Sequence, residues 1–344
     1  VIHTRGLTRH FRANGDVVEA VRGIDLDVGA GELVAFLGPN GAGKSTTLRM
    51  LTTLLAPTTG TAQVVGCDVV ADPEGVRRRI GSIGQGNGAG HQQRVRDELV
   101  HQGRCYGLGR GDAAGRADEL LRSFSLEELA RRVVNTLSGG QRRRLDIAMG
   151  MVHRPELPFL DEPSTGLDPQ NRANLKDEIV RLRAEHGTTI VLTTHYLDEA
   201  DALADRVVVV DHGRVIADDT PQRLKSHLVG DRMVISAFDE DDAPAIATAV
   251  ERLGSASQSV RIEGRDVVAR VSGAPSLVPE LLRTLDAAGT AIASTEVARA
   301  TLDDVFLALT GRSLRESAVA APGDRSTPVT APTSVTPIPQ EQAA

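Results

Sequence analysis

Leu33-Val34-Ala35-Phe36-Leu37-Gly38-Pro39-Asn40-Gly41-Ala42-Gly43-Lys44-Ser45 decides the fold of this chain. The first five residues form a continuous apolar run, which reads as a buried strand. The next eight match G-x-x-x-x-G-K-[ST] at every fixed position. Beyond them Leu48, Leu51 and Leu55 recur at helical spacing, and Pro57 is expected to stop that helix. Strand, glycine-rich loop and helix are the setting that a phosphate-binding loop requires. Its backbone N–H groups turn inward round phosphate oxygens, and the helix start adds a positive dipole end. Lys44 is expected to reach the β- and γ-phosphates of a nucleotide, and the Ser45 hydroxyl to ligate Mg2+.

The rest of the chain sets limits on this reading. With 344 residues it is long enough for more than one domain. Hydrophobic residues make up 40% and charged residues 25%, as in a globular protein. No apolar run approaches the ~18 residues that cross a bilayer. Val1 to Asp16 holds no apolar stretch of the kind a secretory signal needs, so none is expected. The net charge of −7 argues against a nucleic-acid binder. Two widely separated cysteines, Cys67 and Cys105, exclude a disulfide framework and a cysteine-based zinc module. Lysine occurs only at 44, 176 and 225 in this arginine-rich chain. The lysine kept at 44 suits a compact ammonium entering a backbone cradle.

Further apolar runs, Phe159-Leu160, Ile190-Val191-Leu192 and Val207 to Val210, alternate with helical stretches at about 171–186 and 197–204. Strands alternating with helices predict a mostly parallel α/β sheet. Val207–Val210 and Arg214–Ala217 flank Asp211-His212-Gly213, a closing hairpin. A helical lobe is expected at about 86–152, most clearly over 114–152. Near residue 230 the pattern changes to strand, helix, strand, strand, helix, strand. That is the split βαββαβ order of a ferredoxin-like α+β domain, expected over 229–312. A closing helix is predicted at about Leu302–Leu309. The Pro-, Ser-, Thr- and Ala-rich tail, 313–344, is expected to be disordered.

Two more motifs carry chemistry. Asp161-Glu162 ends an apolar run and precedes Pro163-Ser164-Thr165-Gly166-Leu167-Asp168. Adjacent carboxylates at a strand end can divide a task, with Asp161 holding Mg2+ and Glu162 polarising a water. Leu137-Ser138-Gly139-Gly140-Gln141 heads a helix, where Ser138 and the N–H groups of Gly139 and Gly140 can meet an anion. The following Arg142-Arg143-Arg144 reads as a solvated helix face.

Together these residues resemble the ATP-binding subunit of ABC transporters. Gly38–Ser45 is similar to that family's Walker A motif, Leu137–Gln141 to its signature, Asp161-Glu162 to the end of Walker B, and Gly166-Leu167-Asp168 to its D-loop. Gln85 stands where its Q-loop glutamine would be, His195 resembles its switch histidine, and Phe11 its adenine-stacking aromatic. The resemblance covers about residues 1–228 and implies a P-loop NTPase cassette. It implies that Lys44, Glu162 and His195 are catalytic. ATP would be bound by Phe11, Gly38, Pro39, Asn40, Gly41, Ala42, Gly43, Lys44, Ser45, Thr46 and Gln85, and by Ser138, Gly139, Gly140, Gln141 and Asp168. Mg2+ would be held by Ser45, Gln85 and Asp161. It further implies a homodimer with ATP sandwiched in two composite sites. A separate permease would hold the chain at the cytoplasmic side of the membrane.

The C-terminal extension, the run Thr301-Leu302-Asp303-Asp304-Val305-Phe306-Leu307-Ala308-Leu309-Thr310-Gly311, the stretch Arg142-Arg143-Arg144-Leu145-Asp146-Ile147-Ala148 and the stretch His195-Tyr196-Leu197-Asp198-Glu199-Ala200-Asp201 resemble daunorubicin/doxorubicin-resistance exporters over about 1–312. A soluble ABC ATPase acting on ribosomes or DNA is opposed by the single cassette, the scarce cysteines and the acidic balance. An importer ATPase with a regulatory C-terminal domain remains open. Two departures stand out. Pro158 lies in the Walker B strand, which is expected to start one residue late or to be strained. The Gly- and Gln-rich run 86–93 follows Gln85 where the family has more apolar residues, so the partner contact there is expected to differ or the loop to be unusually mobile.

Overall fold

The computed structural model describes residues 1–13, 16–86, 88–90, 92–252 and 257–314. Strands β1 (Ile2–Ala13) and β2 (Asp16–Val28) form an antiparallel ribbon. β3 (Leu33–Leu37) leads through the glycine-rich loop into α1 (Lys44–Leu51). β4 (Thr59–Val64) and β5 (Cys67–Asp68) complete a sheet ordered β2-β1-β4-β5. After α2 (Pro73–Arg79) and β6 (Ile80–Ile83) come the helices of the lobe, α3 (Val95–Cys105), α4 (Arg110–Ser123) and α5 (Gly139–Gly150). β7 (Leu157–Asp161), α6 (Pro169–His186), β8 (Ile190–Thr194) and α7 (Leu197–Leu203) follow. The cassette closes with β9 (Arg206–Asp211), β10 (Arg214–Asp219) and α8 (Pro221–Leu228).

The central sheet runs β10-β9-β3-β8-β7-β6, parallel except for β10. Alternation along β3 divides its side chains between two cores. Val34 and Phe36 face the antiparallel sheet and α1, joining Ile2, Leu7, Leu48 and Phe159. Leu33, Ala35 and Leu37 face the helical side, joining Leu99, Leu145, Leu175 and Leu192. Apolar side chains on both faces explain why β3 reads as an unbroken hydrophobic run. Its loop therefore leaves the middle of the sheet. His212 and Gly213 both have positive φ (47° and 77°), which closes the β9–β10 hairpin with the primed turn that suits strand twist.

Three expectations need correction. α1 ends at Leu51, well before Pro57. The Thr52 hydroxyl donates to the Leu48 carbonyl at 2.9 Å, and Thr53 turns left-handed at φ 60°. Pro158 lies inside β7, so the strand starts at Leu157 and not late. It pairs with Gly81 of β6, while the ladder to β8 begins only at Phe159, where the missing N–H no longer matters. The arginines after the signature are not a solvated face: Arg143 is 7% exposed, and Arg142 and Arg144 donate to the carbonyls of Ala89 and Phe124.

Beyond α8, β11 (Asp231–Ala237), α9 (Ala243–Glu251), β12 (Ser257–Glu263), β13 (Asp266–Val271), α10 (Ala274–Ala287) and β14 (Ile292–Ala298) form a second unit. Its antiparallel sheet is ordered β12-β13-β11-β14, the ferredoxin-like arrangement, with its own core around Met233, Ile235, Ile246 and Leu281. The chain then returns. α11 (Leu302–Thr310), capped by Thr301 and Asp304, buries Leu302, Val305 and Phe306 in the cassette core with Leu203, Leu224 and Val229. Leu314 joins them at 2% exposure, and Ser313 donates to Asp303, so the predicted tail begins too early. Residues 315–344 lie outside the described residues, as do Asn87 and His91 of the run after Gln85. Within that run the N–H groups of Gly88 and Ala89 are held by Asp146 Oδ1.

Candidate active site

The loop between β3 and α1 folds back on its own lysine. Gly43, at φ 102°, occupies a backbone region that only glycine enters cheaply, and its missing side chain leaves room for Ala20 O, 2.5 Å from where a Cβ would stand. Lys44 follows at the first position of α1 and is 4% exposed. Its Nζ donates to the carbonyls of Gly38 (2.7 Å) and Pro39 (3.1 Å). Burial pushes its pKa below the usual lysine value, against the pull of Glu162 and Asp161. Gly38, Pro39 and Ala42 are buried, Asn40 and Gly41 are exposed, and Ser45 and Thr46 are half-buried.

Parallel pairing of β3, β8 and β7 brings their C-terminal ends to one edge of the sheet, beside this loop. Asp161, the last residue of β7, accepts on Oδ1 from Ser45 Oγ at 2.8 Å and from Thr193 Oγ1 at 2.7 Å. Gln85 Nε2 lies 3.4 Å from the same Ser45 hydroxyl. Turning that amide over would present its oxygen instead, and the assignment of amide N and O follows the hydrogen-bond network. Ser45 and Asp161 thus meet as hard oxygen donors, with the Gln85 amide beside them.

Glu162 leaves β7 with φ 44°, a left-handed conformation uncommon outside glycine. Its N–H is fixed by Thr193 Oγ1 at 2.9 Å. One carboxylate oxygen stands 3.5 Å from Lys44 Nζ, and the other stands 3.3 Å from His195 Nδ1 and accepts from Thr165 Oγ1 at 3.1 Å. Burial alone would raise the Glu162 pKa, but His195 and the Lys44 charge outweigh it and hold the carboxyl below its usual range. It is therefore an ionised group in a nearly dry site, fixed at both oxygens.

Ser138, Gly139, Gly140, Gln141 and Asp168 do not join this cluster. Among the described residues, no hydrogen bond or ion pair links the signature residues to Lys44, Ser45 or Glu162. Ser138 is the N-cap of α5, in a reciprocal box: its hydroxyl accepts from Gln141 N–H (3.3 Å), and Gln141 Oε1 accepts from Ser138 N–H (3.0 Å). Asp168 caps α6 and accepts from Asn171 N–H at 3.0 Å. The Asn171 amide oxygen lies 2.3 Å from where a Cβ at Gly140 would stand, so a side chain there would have to displace Asn171. Ser138 and Gly139 are exposed. The signature and the D-loop thus form a second patch on the same chain.

Phe11 lies on β1 opposite Val18, with the Arg9 guanidinium 4.7 Å from its ring centroid. Thr193 carries no mark in the sequence, because the two residues it fixes lie far from it along the chain, whereas Thr165 holds Glu162 from within the same short loop.

The chain is also similar to known proteins. Residues 21–165 match the family model described as ABC transporter. Over 327 residues the chain is 46% identical to the daunorubicin/doxorubicin resistance ATP-binding protein DrrA of Streptomyces peucetius, covering 92% of this chain and 96% of that one. It is 41% identical to the doxorubicin resistance ATP-binding protein DrrA of Mycobacterium tuberculosis, covering 88% and 91%. The solved structure of cbiO1 from Clostridium perfringens, part of the transporter complex cbiONQ, superposes with a TM-score of 0.59 at 28% identity, covering 65% of this chain and 90% of that one.

Proposed function

The chain belongs to the family of ABC transporter ATP-binding proteins, and on that footing we propose that it is the motor subunit of a drug or antibiotic exporter. As a member of that family it hydrolyses ATP. The observation that carries the chemistry is the line Lys44, Glu162, His195: a buried cation, an ionised carboxylate and an imidazole within 3.5 Å steps. The exporter reading draws on the resistance proteins above, whose likeness extends through the ferredoxin-like unit to α11.

In this reading the backbone of Gly38–Gly43 and the Lys44 ammonium bind the β- and γ-phosphates of ATP, with Thr46 and Phe11 completing that face. Ser45, Asp161 and Gln85 would hold Mg2+, which offsets phosphate charge when bound. Glu162 orients the attacking water. A low pKa suits it to accept a hydrogen bond at neutral pH, while His195 and Thr165 hold Oε2, the oxygen that does not face Lys44. Hydrolysis also needs charge stabilisation on the opposite face of the γ-phosphate. The helix start at Ser138–Gly140, exposed at Ser138 and Gly139, would supply it to a second copy, with Asp168 alongside. Two copies then close on two ATP molecules and part after hydrolysis. A separate permease would hold them at the cytoplasmic face and contact the drug.

The test is direct. Glu162→Gln should bind ATP and elute as a dimer in its presence; a monomer at saturating ATP would sink the two-copy site. Co-expression with a candidate permease should bring the chain to the membrane and give ATP-dependent efflux of an anthracycline. Recovery on ribosomes in place of membranes would overturn the exporter reading.

A further inference from the structure

Arg143 is the least exposed of the three arginines after the signature, and nothing proposed so far uses it. It extends from α5 to the exits of two strands. Its Nε donates to Pro163 O at 2.8 Å, one Nη to Gly84 O at 2.7 Å and the other to Asp161 O at 3.4 Å. Two of these acceptors bracket Glu162 on either side in sequence, and the third immediately precedes Gln85. Among the described residues, no carboxylate lies within ion-pair distance of Arg143; three backbone carbonyls take its hydrogen bonds, and the charges of Asp146, Asp161 and Glu199 act on it from farther off. Glu162 sits between the bracketed residues in a left-handed conformation that its surroundings must enforce. Thr193 holds its N–H from the β8 side. Arg143 grips the flanking carbonyls from the α5 side.

We propose that Arg143 is a positioning residue for hydrolysis, which sets the Glu162 carboxylate against Lys44 and His195 by fixing the backbone on both sides of it. A planar, forked donor is needed, because three acceptors diverge round one point. Lysine could satisfy only part of the set, and glutamine less. Loss of the fork would let residues 161–163 relax and Glu162 drift from the two groups that keep it ionised. The inference rests on reading Glu162 as the water-orienting group.

The experiment compares Arg143→Gln and Arg143→Lys with the unsubstituted full-length chain. Lysine keeps the buried charge but gathers its donors on one nitrogen, so it supplies a folded variant should glutamine fail. Melting curves and ATP binding control for the fold. In both variants kcat should fall, by about tenfold or more for glutamine, with KM little changed, since a displacement of ~1 Å is enough. Lysine should recover part of the rate. Hydrolysis in a single turnover, read on enzyme already loaded with ATP, should slow by the same factor as kcat. A purely structural arginine would lower the amount of active protein and leave the rate per ATP-loaded molecule where it was. An Arg143→Gln or Arg143→Lys protein with kcat within about twofold of the parent, or one with an unchanged single-turnover rate per ATP-loaded molecule, overturns the proposal. The underlying reading fails separately: Glu162→Gln would then retain hydrolysis.

Discussion

Lys44 and Glu162 meet as a buried ion pair, Nζ to Oε1 3.5 Å, although 117 positions separate them along the chain. The pair joins the phosphate-binding loop to the group proposed to orient water. Replacing Glu162 with glutamine keeps its shape and removes its charge. Steady-state hydrolysis should fall by about 10²–10⁴-fold with ATP affinity nearly unchanged, as measured by phosphate release and equilibrium binding. In the parent chain the Glu162 pKa lies below the usual carboxylate range, so the ionised form persists on acidification. The loss of turnover that comes from protonating Glu162 should therefore set in at lower pH than for an ordinary carboxyl, provided circular dichroism shows an intact fold.

Thr193 is wholly buried and serves both carboxylates, donating to Asp161 and accepting from the Glu162 N–H. Valine in its place conserves the shape and leaves that N–H without a partner, at a cost of about 1–3 kcal/mol. Thr193→Val should melt at lower temperature and turn over about tenfold more slowly, because both carboxylates lose a tether. Thr193→Ser keeps the hydroxyl and should recover most of the rate.

Glu178 on α6 is 6% exposed, and its Oε2 has no hydrogen-bond partner. Its other oxygen stands 3.8 Å from Arg144 of α5. Burial pushes its pKa up to about 7, with Arg144 and Arg181 only partly opposing the rise. The folded state therefore binds a proton that the unfolded state has released. Stability is fullest below the unfolded pKa of about 4.3 and declines as pH rises to about 7, by on the order of 2–3 kcal/mol. Glu178→Gln cannot ionise. It should be more stable than the parent at pH 8, and urea titrations at pH 5.5 and 8 should show a flatter dependence. An unchanged pH dependence would remove Glu178 as the source.

At Gly140 the Asn171 amide occupies the space a side chain would take. Gly140→Ala should cost about 1–3 kcal/mol through overpacking. Trimming the neighbour in Gly140→Ala/Asn171→Ala should return much of that loss. Chemical denaturation of the two variants checks this. Equal instability in both would mean that the glycine answers to something other than Asn171.

Phe306 lies on α11, beyond the ferredoxin-like unit, and is fully buried in the cassette core. Phe306→Ala should destabilise the chain by about 3–5 kcal/mol and lower the temperature at which ATP binding is lost. Truncation before Leu314 should do the same on a smaller scale. If the nucleotide-protected transition keeps its midpoint, the helix is not integral to the cassette.

Much was legible in the linear pattern because it is local. A buried strand, a glycine-rich turn and a helix start are encoded within neighbouring residues, and so is the Ser138–Gln141 box. The βαββαβ order was readable for the same reason: each element declares its period. Leu55 misled because spacing alone does not show where a threonine hydroxyl takes a carbonyl and turns the chain. Pro158 misled because the harm done by a missing N–H depends on which neighbouring strand faces it. The arginine run misled because polar residues on a helix look solvated until the carbonyls they reach are known.

By itself the sequence determined the phosphate-binding loop, the alternating α/β cassette and the second small sheet, since periodicity and turn chemistry act over a few residues. Only the tertiary structure decided which strand ends stand together. The order β3-β8-β7 is set by crossover connections and shared burial, and it brings Ser45, Asp161 and Thr193 to one point. It also left Ser138 exposed on a separate patch, turned α11 back onto the cassette, and placed a single buried guanidinium, Arg143, between the signature helix and the backbone that carries Glu162.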